Sequence, residues 1–251
     1  MRLRHHIDRL TNRQRLPRLA FGRVPAFCSY ELFYERYRAA AELLAPRPAD
    51  AAPGPRRILD VGSGEGFLKY FLDAPDLEWH GIEILAPRRA LCEWLGYHMQ
   101  ALDVGRDRLP YPDAHFDIVA ASHVLEHLPD RDHALAEFER VLKPGGLLLL
   151  AVPVKLPPLD WLLNAYYALR ERVMIAGETT HAYSLRSFQA HLRRRYGARF
   201  RLVDLRGLRL ISARKRLDWE EHAAFYRFNR WWGRRFPALT PEVNLLLQKL
   251  G

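Results

Sequence analysis

The sequence predicts an α/β protein: a doubly wound sheet, mostly parallel with an antiparallel edge, and helices on both faces. Three observations carry this. Residues 56 to 68 read Arg-Arg-Ile-Leu-Asp-Val-Gly-Ser-Gly-Glu-Gly-Phe-Leu, which is a short apolar run, a glycine turn and the start of a helix. From residue 56 onward short apolar runs alternate with segments of helical periodicity, the pattern of βαβ units with right-handed crossovers. Leu147 to Val154 is almost continuously apolar, as a central strand covered on both faces must be. The arrangement is Rossmann-like.

Each element has its own reason. Residues 1–44 are helical in part, because Phe33, Tyr34, Tyr37, Ala40, Ala41 and Leu44 recur at helical spacing. Residues 45–55 carry four prolines and a glycine, cannot continue a helix and read as a linker. Strand one is expected at 57–61 and helix A at about 65–74. Strand two is 78–84, a helix follows Pro87, and strand three lies near 97–102. Strand four is 116–121, a helix covers about 131–142, and Lys143-Pro-Gly-Gly reads as a turn before the fifth strand. Helices are then expected over about 157–175 and 184–195, the second opened by Ser184 as N-cap. Two strands near 199–205 and 207–213 would form the antiparallel edge. The expected units are a helical cap with its Pro/Ala linker (1–55), a core domain (56–215) and a basic, aromatic C-terminal extension packed on that core (216–251).

Composition narrows the class. The chain has 251 residues and is 49% hydrophobic, enough for one domain with a sizeable core. Its net charge is +10, which points either to an anionic partner or to a solvated basic surface. Cys28 and Cys92 are the only cysteines. They make neither a disulfide framework nor a metal cluster, and a reducing cytoplasm is expected. The first 23 residues hold seven arginines without a continuous apolar run, unlike a secretory signal. No stretch approaches the ~20 apolar residues of a membrane-spanning helix.

The glycine turn defines the ligand. Gly62, Gly64 and Gly66 are spaced G-x-G-x-G, which is neither the G-x-G-x-x-G of dinucleotide enzymes nor a P-loop. A strand, a glycine turn and a helix place a ligand over the helix N-terminus at the carboxyl end of the strand. Asp60, just before the turn, disfavours a phosphate and suits a ligand with a cationic, ammonium-bearing end. Glu83 lies 23 residues after Asp60, at the end of strand two. A carboxylate there can accept hydrogen bonds from both ribose hydroxyls of a nucleoside lying across the strand tips.

Residues 56–68 resemble motif I of the class I S-adenosylmethionine-dependent methyltransferases, in particular their small-molecule, type 11/12-like domains. Asp103 and Val104 stand where that family keeps its adenine-binding acid. Phe116-Asp-Ile-Val-Ala-Ala-Ser-His-Val-Leu-Glu-His-Leu-Pro-Asp130 resembles motif II with the loop after strand four, and Lys143-Pro-Gly-Gly-Leu-Leu-Leu-Leu resembles motif III. The likeness is close over 56–155 and loose over 156–213. It implies S-adenosyl-L-methionine as the methyl donor. Asp60, Gly62, Ser63, Gly64, Gly66 and Ser122 would surround it and Glu83 would hold the ribose. Ile84 would pack on the adenine, Asp103 would accept from its amino group, and the neighbouring amide of Val104 would serve a ring nitrogen; Asp107 and Asp113 are alternatives to Asp103. It also implies a small-molecule or lipid-like acceptor, methylated at oxygen by in-line displacement.

The same resemblance puts the acceptor near His123, Glu126 and His127. The two histidines are four apart and would share a helical face. The order is not His-Glu-x-x-His, so no metal is expected. Glu126-His127 recurs in the family as a structural pair, so His127 stays open between packing and base. His181, ahead of Tyr183-Ser-Leu-Arg-Ser-Phe, resembles the segment bordering the acceptor site. His123, His127 and His181 are the candidate catalytic residues.

The tail Phe225-Tyr-Arg-Phe-Asn-Arg-Trp-Trp-Gly-Arg-Arg-Phe236 has three readings. It is a helix packed on the core, an interfacial anchor on an anionic membrane, or a nucleic-acid groove. Peripheral membrane contact is favoured over nucleic acid, because no RNA-binding module precedes the core. The competing functions are an RNA methyltransferase using the basic flanks and a non-catalytic binder. Against amino methylation of nucleic-acid bases, the loop after strand four reads Ala-Ser-His-Val where an Asn/Asp-Pro-Pro-Tyr/Phe motif would be needed.

Overall fold

The computed structural model describes residues 28–45, 55–72, 74–156, 159–170, 181–208 and 223–251. The first element is α1 (Cys28–Leu44). Then come β1 (Arg56–Val61), α2 (Phe67–Phe71), β2 (Leu77–Ile82), α3 (Ala86–Trp94) and β3 (His98–Gln100). β4 (Phe116–Ser122) leads through a single 3-10 turn (Leu125–His127) into α4 (Arg131–Val141) and β5 (Leu142–Pro153). α5 (Leu159–Arg170), α6 (Leu185–Tyr196), β6 (Phe200–Leu208), α7 (Ala223–Arg235) and β7 (Glu242–Lys249) complete the order.

The seven strands form one sheet in the order β3-β2-β1-β4-β5-β7-β6. β1, β2, β3, β4 and β5 pair in parallel, and β7 runs antiparallel between β5 and β6. This is the doubly wound, mostly parallel sheet with an antiparallel edge that the sequence pattern requires. Alternate residues of each central strand feed two separate cores. Leu59, Val119, Leu148, Leu150 and Leu245 join Phe138 and Phe188 on one face. Ile58, Ile118, Leu149 and Leu246 join Leu68 and Trp79 on the other. Burial on both faces is why these strands are apolar at successive positions.

Several boundaries differ from expectation. Lys143-Pro-Gly-Gly is not a free turn, because it lies inside β5 as a bulge. Phe116 pairs with Leu142, but Ile118 already pairs with Leu147, and Gly145 takes a φ of 78° to absorb the excess. The two expected edge strands are one, β6, and residues 209–213 lie outside the described residues. Its partner is β7, so the last part of the chain is not an extension laid on the core. Val243, Leu245 and Leu246 are essentially buried because this segment is an interior strand of the sheet. Residues 1–27, 46–54 and 171–175 of the expected cap, linker and helix also lie outside the described residues.

α1 belongs to the same core. Tyr37, Ala40, Ala41, Leu43 and Leu44 pack with α2 and the outer face of β1. Charge fixes it as well. Arg36 makes a paired contact with Glu242 of β7, with Nη2 donating to Oε2 at 2.9 Å. Glu42 accepts from Arg206 of β6 at 3.0 Å and from Arg230 of α7 at 2.6 Å. Among the described residues no helix is long and apolar enough to cross a membrane.

Candidate active site

The site lies at the carboxyl edge of the parallel strands, where β1, β2 and β4 end side by side. β1 enters a turn whose three glycines are all left-handed, with φ of 64° at Gly62, 55° at Gly64 and 73° at Gly66. L-residues avoid that region. Gly62 and Gly66 also lack space. A Cβ on Gly62 would sit 2.6 Å from Val124 Cγ2, and one on Gly66 would sit 2.7 Å from Leu95 Cδ1. Over Gly64, among the described residues, only the Gly62 carbonyl comes as near as 4.0 Å, so the backbone there is open to a ligand.

Glu83 closes the turn from β2. The Gly64 N–H donates to its Oε2 at 3.1 Å and the Leu85 N–H to its Oε1 at 2.9 Å. The side chain is buried, and Arg88 approaches it to 4.0 Å. The next residue, Ile84, is 67% exposed, which is unusual for isoleucine and leaves an apolar surface beside the carboxylate. Ser63 is buried, its Oγ 3.5 Å from Cys92 Sγ, so its side chain braces α3 and does not face the open side.

Asp60, expected to favour a ligand with a cationic end, is a buried acid. It is 2% exposed and points beneath the turn, where the Tyr97 O–H donates to it at 3.2 Å. Burial pushes its pKa up to about 7, the Tyr97 bond opposes this and Glu83 adds to it.

Three more of the expected residues lie just after β3 and at the end of β4. Asp103 Oδ1 accepts from the Gly105 N–H at 3.0 Å, and the Asp103 N–H donates to Asp107 Oδ2 at 2.8 Å. Asp107 therefore braces Asp103, and the other alternative, Asp113, pairs away from the site with Arg140 at 2.8 Å. Val104 is buried in the core beside it. At the end of β4 the Ser122 hydroxyl is buried and has no hydrogen-bond partner among the described residues, an uncommon state for a protein polar group.

The acceptor-side histidines converge on one turn. His123 has a φ of 56°, a conformation that costs a non-glycine residue about 1–2 kcal/mol. Its ring holds it there: Nδ1 is 3.1 Å from Glu126 Oε1, and Nε2 is 3.1 Å from Glu242 Oε1 as an ion pair. Burial works against the imidazolium, but Glu242 and Glu126 outweigh it and raise the pKa. Burial likewise would raise Glu242, yet His123 and Arg36 hold it well below the usual carboxylate range. Both ring nitrogens of His123 thus face carboxylates. His127 is 39% exposed, with Nε2 4.0 Å from Glu126 Oε1. His181 lies on the other side of the turn, its N–H donating to the Glu126 carbonyl at 3.2 Å. The Tyr183 O–H donates to the Leu125 carbonyl at 3.3 Å.

The sequence pointed to the three histidines but missed Arg36, Glu242 and Tyr97. Tyr97 had a detectable signal, since it opens the segment read as strand three. Arg36 and Glu242 had none, because each becomes part of the site only through the pairing of β7 inside the sheet.

Residues 59–150 match the family model of the methyltransferase domain. The demethylmenaquinone methyltransferase of Deinococcus radiodurans is 38% identical over 143 residues, covering 53% of this chain and 54% of that protein. The 27-O-demethylrifamycin SV methyltransferase of Amycolatopsis mediterranei is 36% identical over 145 residues, covering 55% and 52%. The chain spans about half the length of either relative. Among solved structures, the [4+2]-cyclase SpnF superposes with a TM-score of 0.56 at 19% identity, over 86% of this chain and 81% of that one; that likeness concerns the fold alone. Residues 59–150, which hold the glycine turn and its acidic partner, thus match a methyltransferase domain.

Proposed function

We propose that this chain transfers a methyl group from S-adenosylmethionine to an oxygen of a small, lipid-like acceptor. The observation that carries the reading is the contact between the Gly64 amide and Glu83 at the open strand tips. The residues present fit the donor. Glu83 would exchange its two backbone donors for ribose hydroxyls, and Ile84 would cover an adenine face. Asp103 would accept from the adenine amino group beside the Val104 amide. Gly62, Gly64 and Gly66 let the backbone approach the methionine portion. The unpartnered Ser122 hydroxyl would bond to it, and Asp60 would supply negative charge from below.

The donor, when bound, supplies a methyl group already activated on a sulfonium. The chain's work is positioning, worth about 7–11 kcal/mol when nucleophile and electrophile are held in line. Val124, wedged against Gly62, and the clamped His123 fix the loop between donor and acceptor. An oxygen acceptor must also lose a proton. His123 is committed to two carboxylates, so that role falls to His127 or His181, with a rate contribution of about 10²–10⁴-fold.

The test is label transfer from methyl-labelled donor to a panel of phenols, sugars and isoprenoid alcohols. Label in an ether product, lost by about 10²-fold or more in either His127→Ala or His181→Ala, supports the reading. Label on nitrogen or carbon would overturn the oxygen assignment, and label in RNA would overturn the acceptor class.

A further inference from the structure

We propose that the outer face of α7 is a docking surface for an anionic lipid bilayer. The inference deepens the reading above, because it gives a lipid-like acceptor a route to the site, but the surface itself is argued independently of catalysis.

α7 has two unlike faces. Asn229 and Gly233 are buried against the protein, and Arg230 is tied to Glu42 of α1. Arg227, Trp231 and Arg234 recur at helical spacing on the other side, with Arg235 beside them, and all four are exposed. Among the described residues no carboxylate pairs with Arg227, Arg234 or Arg235. Trp231 is 54% exposed in the middle of these guanidinium groups. A solvated helix face would alternate charge signs or carry its tryptophan inward. Arginines around an outward indole instead match the headgroup layer, where guanidinium groups meet lipid phosphate and an amphipathic ring lies at the boundary.

Position supports the same partner. β6 ends and β7 begins level with the end of β5, through the pairs Leu208–Glu242 and Pro153–Glu242. α7, between β6 and β7, therefore belongs to the carboxyl edge, the edge that holds the candidate active site. Other outward apolar side chains lie there: Leu159 and Trp161 beyond β5, with Trp161 68% exposed. A membrane met by this edge would face the site mouth.

The test is flotation of the full chain with two vesicle types, equimolar phosphatidylglycerol and phosphatidylcholine, or phosphatidylcholine alone. The expected result is co-flotation with the anionic vesicles only, weakened by salt. The double variant Arg227→Glu, Arg234→Glu should lower partitioning by well over about 25-fold, since each basic residue near such a surface contributes about fivefold. Trp231→Ala should weaken it and leave its salt dependence unchanged, because no charge is removed. Donor titration on the same variants reports folding and should be unchanged, so a lost donor site is distinguishable from a lost surface. Equal binding to neutral vesicles, or anionic binding that ignores these substitutions, would overturn the proposal. Tighter binding to a single-stranded RNA oligonucleotide, removed by the same charge reversal, would assign the face to nucleic acid instead.

Discussion

His123 of the loop after β4 and Glu242 at the start of β7 meet at 3.1 Å in a buried ion pair. Arg36 of α1 completes the pair from the other side. Three distant parts of the chain are thereby fastened at the point where donor and acceptor would meet. A buried pair contributes little beyond an apolar substitute, but removing one partner strands the others.

Glu242→Gln should therefore cost about 3–5 kcal/mol in urea unfolding, because it leaves His123 and Arg36 facing each other. The clamp also fixes a pH dependence. A His123 pKa raised above 6.5 means that the folded chain holds this proton more tightly. Its stability is fully present below about pH 6.5 and is lost as pH rises through the folded value. His123→Gln should flatten that decline. A decline identical in the variant would remove His123 as its source.

Asp60 gives a separate titration. Its pKa is raised from 3.8 to about 7, so its stabilising proton is held fully below pH 3.8 and lost as pH rises toward 7. A cationic donor above the turn favours the ionised form. We expect donor affinity to rise between about pH 6 and 8 with release of a proton on binding, seen as a buffer-dependent calorimetric enthalpy. Asp60→Asn should abolish that release. Affinity independent of pH in the wild type would show that Asp60 does not sense the ligand.

Ser122→Ala separates ligand binding from folding. The hydroxyl is buried without a partner, so its removal should leave stability unchanged or raise it by up to about 1 kcal/mol. Donor affinity should fall about tenfold, the loss of one well-made hydrogen bond. A stability loss with affinity intact would make Ser122 a core residue only.

The three glycines should also part company. Alanine at each meets a positive φ and costs about 1–2 kcal/mol. Gly62→Ala adds a 2.6 Å clash with Val124 and should unfold at lower urea than Gly64→Ala. Gly64→Ala should keep the fold better and lose more donor affinity. Equal midpoints for the two variants would contradict the packing described around Val124.

Much of this was legible in the sequence. Gly62, Gly64 and Gly66 announced the turn, Glu83 its partner, and the run from Leu147 to Val154 the central strand. These signals are local: spacing, glycine and apolar periodicity. What escaped was non-local. Glu242 and Asn244 interrupt the apolar run of β7 and make it read as a tail, yet Glu242 is buried because Arg36 and His123 neutralise it. Asn244 is buried where its Nδ2 donates to the Arg36 carbonyl. The burial of Asp60 is hidden for the same reason. Its position at the turn was correct, but only the fold reveals Tyr97 beneath it.

The most direct measurement is calorimetric titration of S-adenosylmethionine into the wild type and into Gly64→Arg. Saturable binding is expected for the wild type and none for the folded variant, whose side chain would fill the open space over the turn. No binding to folded wild-type protein, or equal binding to both, would contradict it.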